Sequence, residues 1–307
     1  MKRLIGILLP IFLAAGLYAD NKEIIMFGVK KTPKVTTKSI EEAFTLAGYK
    51  VEGNRDMNGP FKKQFGDTVF RIYNLMTVYY PDATKALVSR HEEAGVFAPF
   101  SVVIYQKKGD DTIYAGVLSA FAKAKIMGLP FDNKVLQALE ERNVATLLKA
   151  MPGAKKVVFD YTPKPLTKEP LTRFSLESDP EEWEDFKEEV EMIIEDGLKP
   201  IGFVMANFLD YNYFLKEAGI DTYLFYDTYS LCKLKVIYTV SKIRPEAGVF
   251  APCTMAIYQK KGEGRMKMVY PNVYNWMATL ALEDEQSLKE LEKAQADILE
   301  LLEQTAE

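Results

Sequence analysis

Ala94 to Gly109, AGVFAPFSVVIYQKKG, returns 153 residues later as Ala247 to Gly262, AGVFAPCTMAIYQKKG, with 12 of 16 positions identical. Chance does not produce a match of that length, so the chain contains one unit twice. The same offset pairs Val51 with Val204, Asn54 with Asn207, Phe61 with Phe214, Lys63 with Lys216, Gly66 with Gly219 and Tyr73 with Tyr226. A 307-residue chain with one such repeat reads as two domains of about 140 residues, each long enough to bury its own core. A solenoid needs three or more short repeats, which makes it a poor alternative.

Outside the repeat, the N-terminus MKRLIGILLPIFLAAGLYAD places Lys2 and Arg3 before an apolar run from Leu4 to about Gly16 and small residues ending at Ala19. This is the pattern of a secretory signal over residues 1–19, cleaved after Ala19 with Leu17 at the minus-three position. The apolar run is short for a membrane span, and an uncleaved anchor is the alternative. No second stretch is long enough to span a bilayer, so the expected location is exported, periplasmic or extracellular. Loss of Lys2 and Arg3 moves the formal charge from -4 to -6, which argues against a nucleic-acid partner. Lys107, Lys108, Lys260 and Lys261 fall at predicted hairpin tips, where lysines serve solubility and block edge pairing.

The first domain is expected over residues 20–162. Glu23 to Lys30 reads as a strand. Ser39 and Glu42 form a capping box that opens a helix closed by Gly48. Tyr49 to Arg55 is a strand leading into NRDMNGPFKKQFG, a turn or a ligand-facing loop, with the turn favoured. Val69 to Tyr79 is a strand, and Pro81 starts a helix that Gly95 ends. Phe100 to Lys107 and Thr112 to Val117 form a hairpin, and Ser119 to Gly128 and Asp132 to Ala150 show helical periodicity. Pro163, Pro165 and Pro170 mark a linker at 163–170, because clustered prolines continue neither a helix nor a central strand.

The second domain is expected over 171–307. Leu171 to Glu177 is a strand; Asp179 caps a helix with Pro180 first and Glu181, Glu182 and Glu184 near its positive end, running to about Gly197. Gly202 to Phe208 and Thr222 to Leu231 are strands, Lys233 to Ile243 is a helix broken at Pro245, and Thr254 to Lys260 pairs with Arg265 to Val269. Asn272 caps a helix to Leu282. A final amphipathic helix carries Leu288, Leu291, Ile298, Leu301 and Leu302, packed on the body or on a partner. The resulting class is α+β, with mixed or antiparallel sheets packed with helices. Neither G-x-G-x-x-G nor a P-loop occurs, so nucleotide folds find no support.

Few residues can carry chemistry. His91 is the sole histidine, and its counterpart is Arg244, so His-rich zinc sites are excluded and any Ser-His-Asp or Cys-His scheme is weakened; a solvated histidine is the plain reading. Cys232 and Cys253 both lie in the second copy, opposite Tyr79 and Phe100 in the first. Cys232 ends a strand and Cys253 opens the next, a layout that can bring two thiols together. They form a structural disulfide or stay as buried thiols, or else they make a redox-active, metal- or cofactor-binding pair. A redox C-x-x-C is absent. Tyr223, Phe225, Tyr226 and Tyr229 read as core, and the acid clusters at Glu181 to Glu184 and Glu283 to Glu285 as helix starts.

From Cys232 through Gly248, Pro252 and Cys253 the chain resembles the domain-of-unknown-function 302 family, whose pattern is a strand-end cysteine, a helix, then Gly-apolar-apolar-apolar-Pro-Cys. The first copy keeps Gly95 and Pro99 but has Tyr79 and Phe100 at the cysteine positions. The resemblance implies a small domain similar to the TATA-binding-protein-like fold and a tendency to pair, satisfied here within one chain as a pseudo-dimer. It supplies no activity. The candidate thiol or ligand site is therefore Cys232, Cys253, Pro252 and Gly248, with Tyr79, Phe100, Pro99 and Gly95 as first-copy equivalents. No catalytic or metal-binding residue stands out, and the cofactor is unknown. The expected function is a non-enzymatic, exported ligand-binding or accessory protein with an unidentified small ligand or protein partner. A thiol-dependent redox or sulfur-carrier protein and a structural interaction module are the alternatives.

Overall fold

β-branched and aromatic residues fill the middle of each half with strands that are buried along almost their whole length, which requires cover on both faces of each sheet. In a computed structural model, residues 21–306 are described, and the signal expected at 1–19 lies outside them. The first half runs β1 (Ile24–Lys30), α1 (Thr37–Leu46), β2 (Lys50–Asp56), α2 (Asn58–Phe65), β3 (Phe70–Tyr79), α3 (Pro81–Val88), a 3-10 helix (Glu92–Phe97), β4 (Phe100–Lys107), β5 (Thr112–Leu118), α4 (Ala120–Met127), α5 (Lys134–Ala150) and β6 (Lys155–Lys156). The second runs β7 (Leu171–Glu177), α6 (Trp183–Leu198), β8 (Phe203–Asp210), α7 (Tyr211–Glu217), β9 (Tyr223–Lys233), α8 (Leu234–Ile243), a 3-10 helix (Pro245–Phe250), β10 (Cys253–Lys260), β11 (Arg265–Pro271), α9 (Tyr274–Thr279) and α10 (Glu285–Gln304).

The sheets are ordered β2-β3-β4-β5-β1-β6 and β8-β9-β10-β11-β7, which is the same order apart from the short β6. Every pairing is antiparallel. The protein is thus α+β, two antiparallel sheets packed with helices. Strand alternation divides the cover. Met76, Val102 and Ile104 pack against Ile40 and Phe44 of α1 and Leu139 and Leu147 of α5, while Tyr73, Leu75, Val103 and Tyr105 face the opposite way into a core shared with the second half. In the second half the ring of Trp183 on α6 stacks over Phe225. Leu291, Ile298, Leu301 and Leu302 of α10 are buried, so the final helix packs on the body.

Several boundaries differ from expectation. The capping box of α1 is Thr36 with Ser39, because the Ser39 hydroxyl returns the bond that Glu42 would have supplied one turn later. The polar segment after Arg55 is helical: Asp56 accepts the Asn58 N–H, Phe61 anchors α2 in the core and Gly66, at φ 83°, ends it. The helix from Pro81 stops at Val88, and Gly95 lies within the 3-10 helix rather than ending it. α6 starts at Trp183; Asp179 instead closes a turn on the Glu181 N–H. Asn272 is drawn away from capping, donating to the Glu169 carbonyl and accepting from Gln295, so α9 is only Tyr274–Thr279. The proline-rich segment docks on the second half, with the Lys164 N–H donating to Ala278 and the Pro170 carbonyl accepting from Asn272.

Candidate functional site: a seam and one open cavity

The repeated stretch builds the seam between the halves. Tyr73 donates to the Pro245 carbonyl at 3.0 Å and Tyr226 to the Glu92 carbonyl at 2.6 Å. Ser101 donates to Pro252 and Thr254 to Pro99. Each of these pairs is one contact made twice at the repeat offset, so the halves meet across a pseudo-twofold axis. Glycine is required where each 3-10 helix touches the opposite sheet. A Cβ on Gly95 would stand 2.3 Å from the Tyr226 hydroxyl, and one on Gly248 would stand 2.4 Å from Val103 Cγ2. Pro99 and Pro252 follow cis peptide bonds beside these contacts. Gly95, Gly248 and Pro99 are therefore seam residues, and Pro252 both joins the seam and borders the cavity described below.

The two thiols are free and are not brought together as a disulfide pair. The register sets Cys253 opposite Leu231 and Cys232 opposite Val204. A one-residue stagger sends the two side chains to opposite faces of the sheet. Cys253 donates to the Phe250 carbonyl on the helix-covered face, where its first-copy equivalent Phe100 lies under the Lys123 amine. Burial pushes the Cys253 thiol up to about 11 and the Cys232 thiol up to about 12.

Cys232 faces the seam and lines a cavity of about 600 Å³. The first half contributes Arg55, Met57, Leu75 and Thr77, and the second contributes Phe203, Leu234 and Pro252. The size and the apolar walls with a few polar groups suit a small-molecule site. The corresponding position in the first copy is closed: Tyr79, 3% exposed, presses its ring on Tyr211 at 5.3 Å and Phe214 at 6.3 Å. Tyr211 and Phe214 occupy in α7 the places of Asn58 and Phe61 in α2. A thiol at 232 leaves room where a phenol at 79 fills it.

Sequence reasoning singled out Cys232 and Pro252 but missed Leu75, Thr77 and Phe203, which look like ordinary strand residues. The segment after Arg55 carried the one available signal, through its ligand-facing alternative. His91 is half-buried at the start of a 3-10 helix. Lys260, expected to serve solubility, pairs with Glu92 across the seam, and Lys267 joins it at 2.9 Å. Among the described residues no group of three or more His, Cys, Asp and Glu side chains could hold a metal ion, and no helix is long and apolar enough to cross a membrane.

Two antiparallel sheets joined through symmetric glycine contacts, with one of two equivalent seam positions open, define a duplicated α+β protein with an apolar-walled cavity at its seam. Residues 182–305 match the family described as Domain of unknown function DUF302. A similar solved structure is the crystal structure of an uncharacterized conserved protein DUF302 from Bacillus stearothermophilus, 19% identical, covering 45% of this chain and 97% of that one at a TM-score of 0.34. No curated protein matches the chain.

Proposed function

We propose that this is an exported, non-enzymatic binding protein that holds a small, largely apolar ligand in the cavity beside Cys232. The observation that carries this reading is the contrast between the open cavity of about 600 Å³ and the equivalent position closed by Tyr79. Duplication followed by closure of one site leaves one ligand per chain. Export rests on the charged, apolar and small-residue pattern of residues 1–19. Cys232 on the cavity wall is the one observation favouring a thiol-dependent carrier. Against that alternative stand the stagger of the two cysteines and a thiol raised to about 12, since the protonated thiol is a poor nucleophile. The interaction-module alternative loses its support with the burial of the leucines of α10.

The neutral, apolar fluorophore N-phenyl-1-naphthylamine tests the reading. Its emission should rise and saturate at one site per chain, and Cys232→Tyr, which reproduces the plug of the first copy, should abolish the rise while the circular dichroism spectrum stays unchanged. No saturable rise, or one indifferent to Cys232→Tyr, would sink the reading.

A further inference from the structure

The polar part of the cavity carries two cations, Arg55 and Lys199, against one carboxylate, Asp56, a net positive balance. Arg55 lies on β2 of the first half and reaches across the seam, where Nη2 donates to the Ala206 carbonyl of β8 at 2.5 Å. That contact uses one of five guanidinium donors and holds the group at the cavity mouth. Lys199, just past the end of α6, lines the same mouth. Among the described residues, neither cation has a carboxylate within ion-pair distance. Asp56, which lines the same cavity, accepts the Asn58 N–H at 3.0 Å instead of pairing with either cation. The Arg55 charge also acts on the Cys232 thiol, pulling it down against the stronger effect of burial, so its field reaches inside. At the closed position the repeat offset puts Phe208 where Arg55 stands. The cation therefore accompanies the open cavity only.

Resting on the cavity reading above, we propose that the ligand is an amphipathic carboxylate, its apolar tail among Met57, Leu75, Phe203 and Leu234 and its head group on Arg55 and Lys199. A guanidinium with free donors matches a carboxylate in geometry as well as charge. A neutral or cationic head group would leave both cations unanswered.

The test is displacement of bound N-phenyl-1-naphthylamine by three probes with the same tail: decanoate, 1-decanol and decyltrimethylammonium. Decanoate should displace the dye at about tenfold lower concentration than either of the others, the size expected of one charge-assisted contact with a partly exposed cation. Arg55→Gln with Lys199→Gln should bring decanoate down to the level of decanol, and added salt should weaken decanoate alone. Equal displacement by all three, or a preference for the cation, overturns the inference while the cavity reading stands. Failure of the dye to bind removes both. A preference for decanoate that survives the double substitution overturns the assignment of the head-group residues.

Discussion

Lys123 is 2% exposed, with its amine 3.8 Å from the centroid of the Phe100 ring. Burial pushes its pKa down to about 7, with Glu140 opposing, against about 10.4 in an unfolded chain. The folded state therefore releases the proton more readily than the unfolded one. The cost of the buried charge is present in full below pH 7 and is relieved as pH rises from 7 toward the unfolded value. Lys123→Met should stabilise the protein by on the order of 2 kcal/mol at pH 6, allowing for the attraction of the ring for the cation. That gain should shrink steadily by pH 10, as read by urea denaturation across the range. A gain that does not vary with pH would show that the amine keeps its unfolded pKa, and so its charge, in the fold. The same scale shows how little of a site a repeat reveals. Lys123 and Phe100 align with Trp276 and Cys253, so one position carries a cation over a ring in one half and a thiol beside an indole in the other.

The 3-10 helices are short and carry no side-chain cap, so their place is set by what they touch. Gly248 lies against Val103 and Leu75, side chains of β4 and β3 that are buried and cannot give way. Gly248→Ala should cost about 1–3 kcal/mol, the usual range for overpacking a filled core. Gly59→Ala on α2, where a Cβ meets nothing within 4 Å, should cost nothing and gain up to about 1 kcal/mol from helix propensity. Urea midpoints of the two variants make the comparison, and equal midpoints would mean that the seam yields at Gly248. Elements whose type follows from local pattern were legible in the chain: β4 and β10 start and end within a residue of expectation. The starts of α1, α6 and α9 were not, because several polar residues in a row could cap each one. Which one did depended on contacts elsewhere, such as those that hold Asn272.

The halves share one core at the seam, where each inner sheet face is covered in large part by the 3-10 helix of the other half. Residues 157–306 alone would uncover Tyr226, Ala256 and Tyr258, which are all buried in the whole chain. An exposed apolar face of that kind drives association, so the isolated half should self-associate, as measured by light scattering behind size exclusion. A stable monomer would show that the second half needs no cover. The ion pairs at Glu92, and between Arg173 and Glu93 at 2.9 Å, sit at the rim of the seam; being partly exposed, they add specificity more than strength. By itself the amino-acid sequence determined the duplication, the α+β class and the asymmetry at positions 79 and 232, because repeats, periodicity and residue identity are local properties of a chain. Only the tertiary structure decided that Gly95, Gly248 and Pro99 belong to the seam, that Cys232 and Cys253 face opposite ways, and that Arg55 of one half borders a cavity walled by the other. Those facts depend on strand register and on the packing of one sheet against another, which bring together residues more than a hundred positions apart.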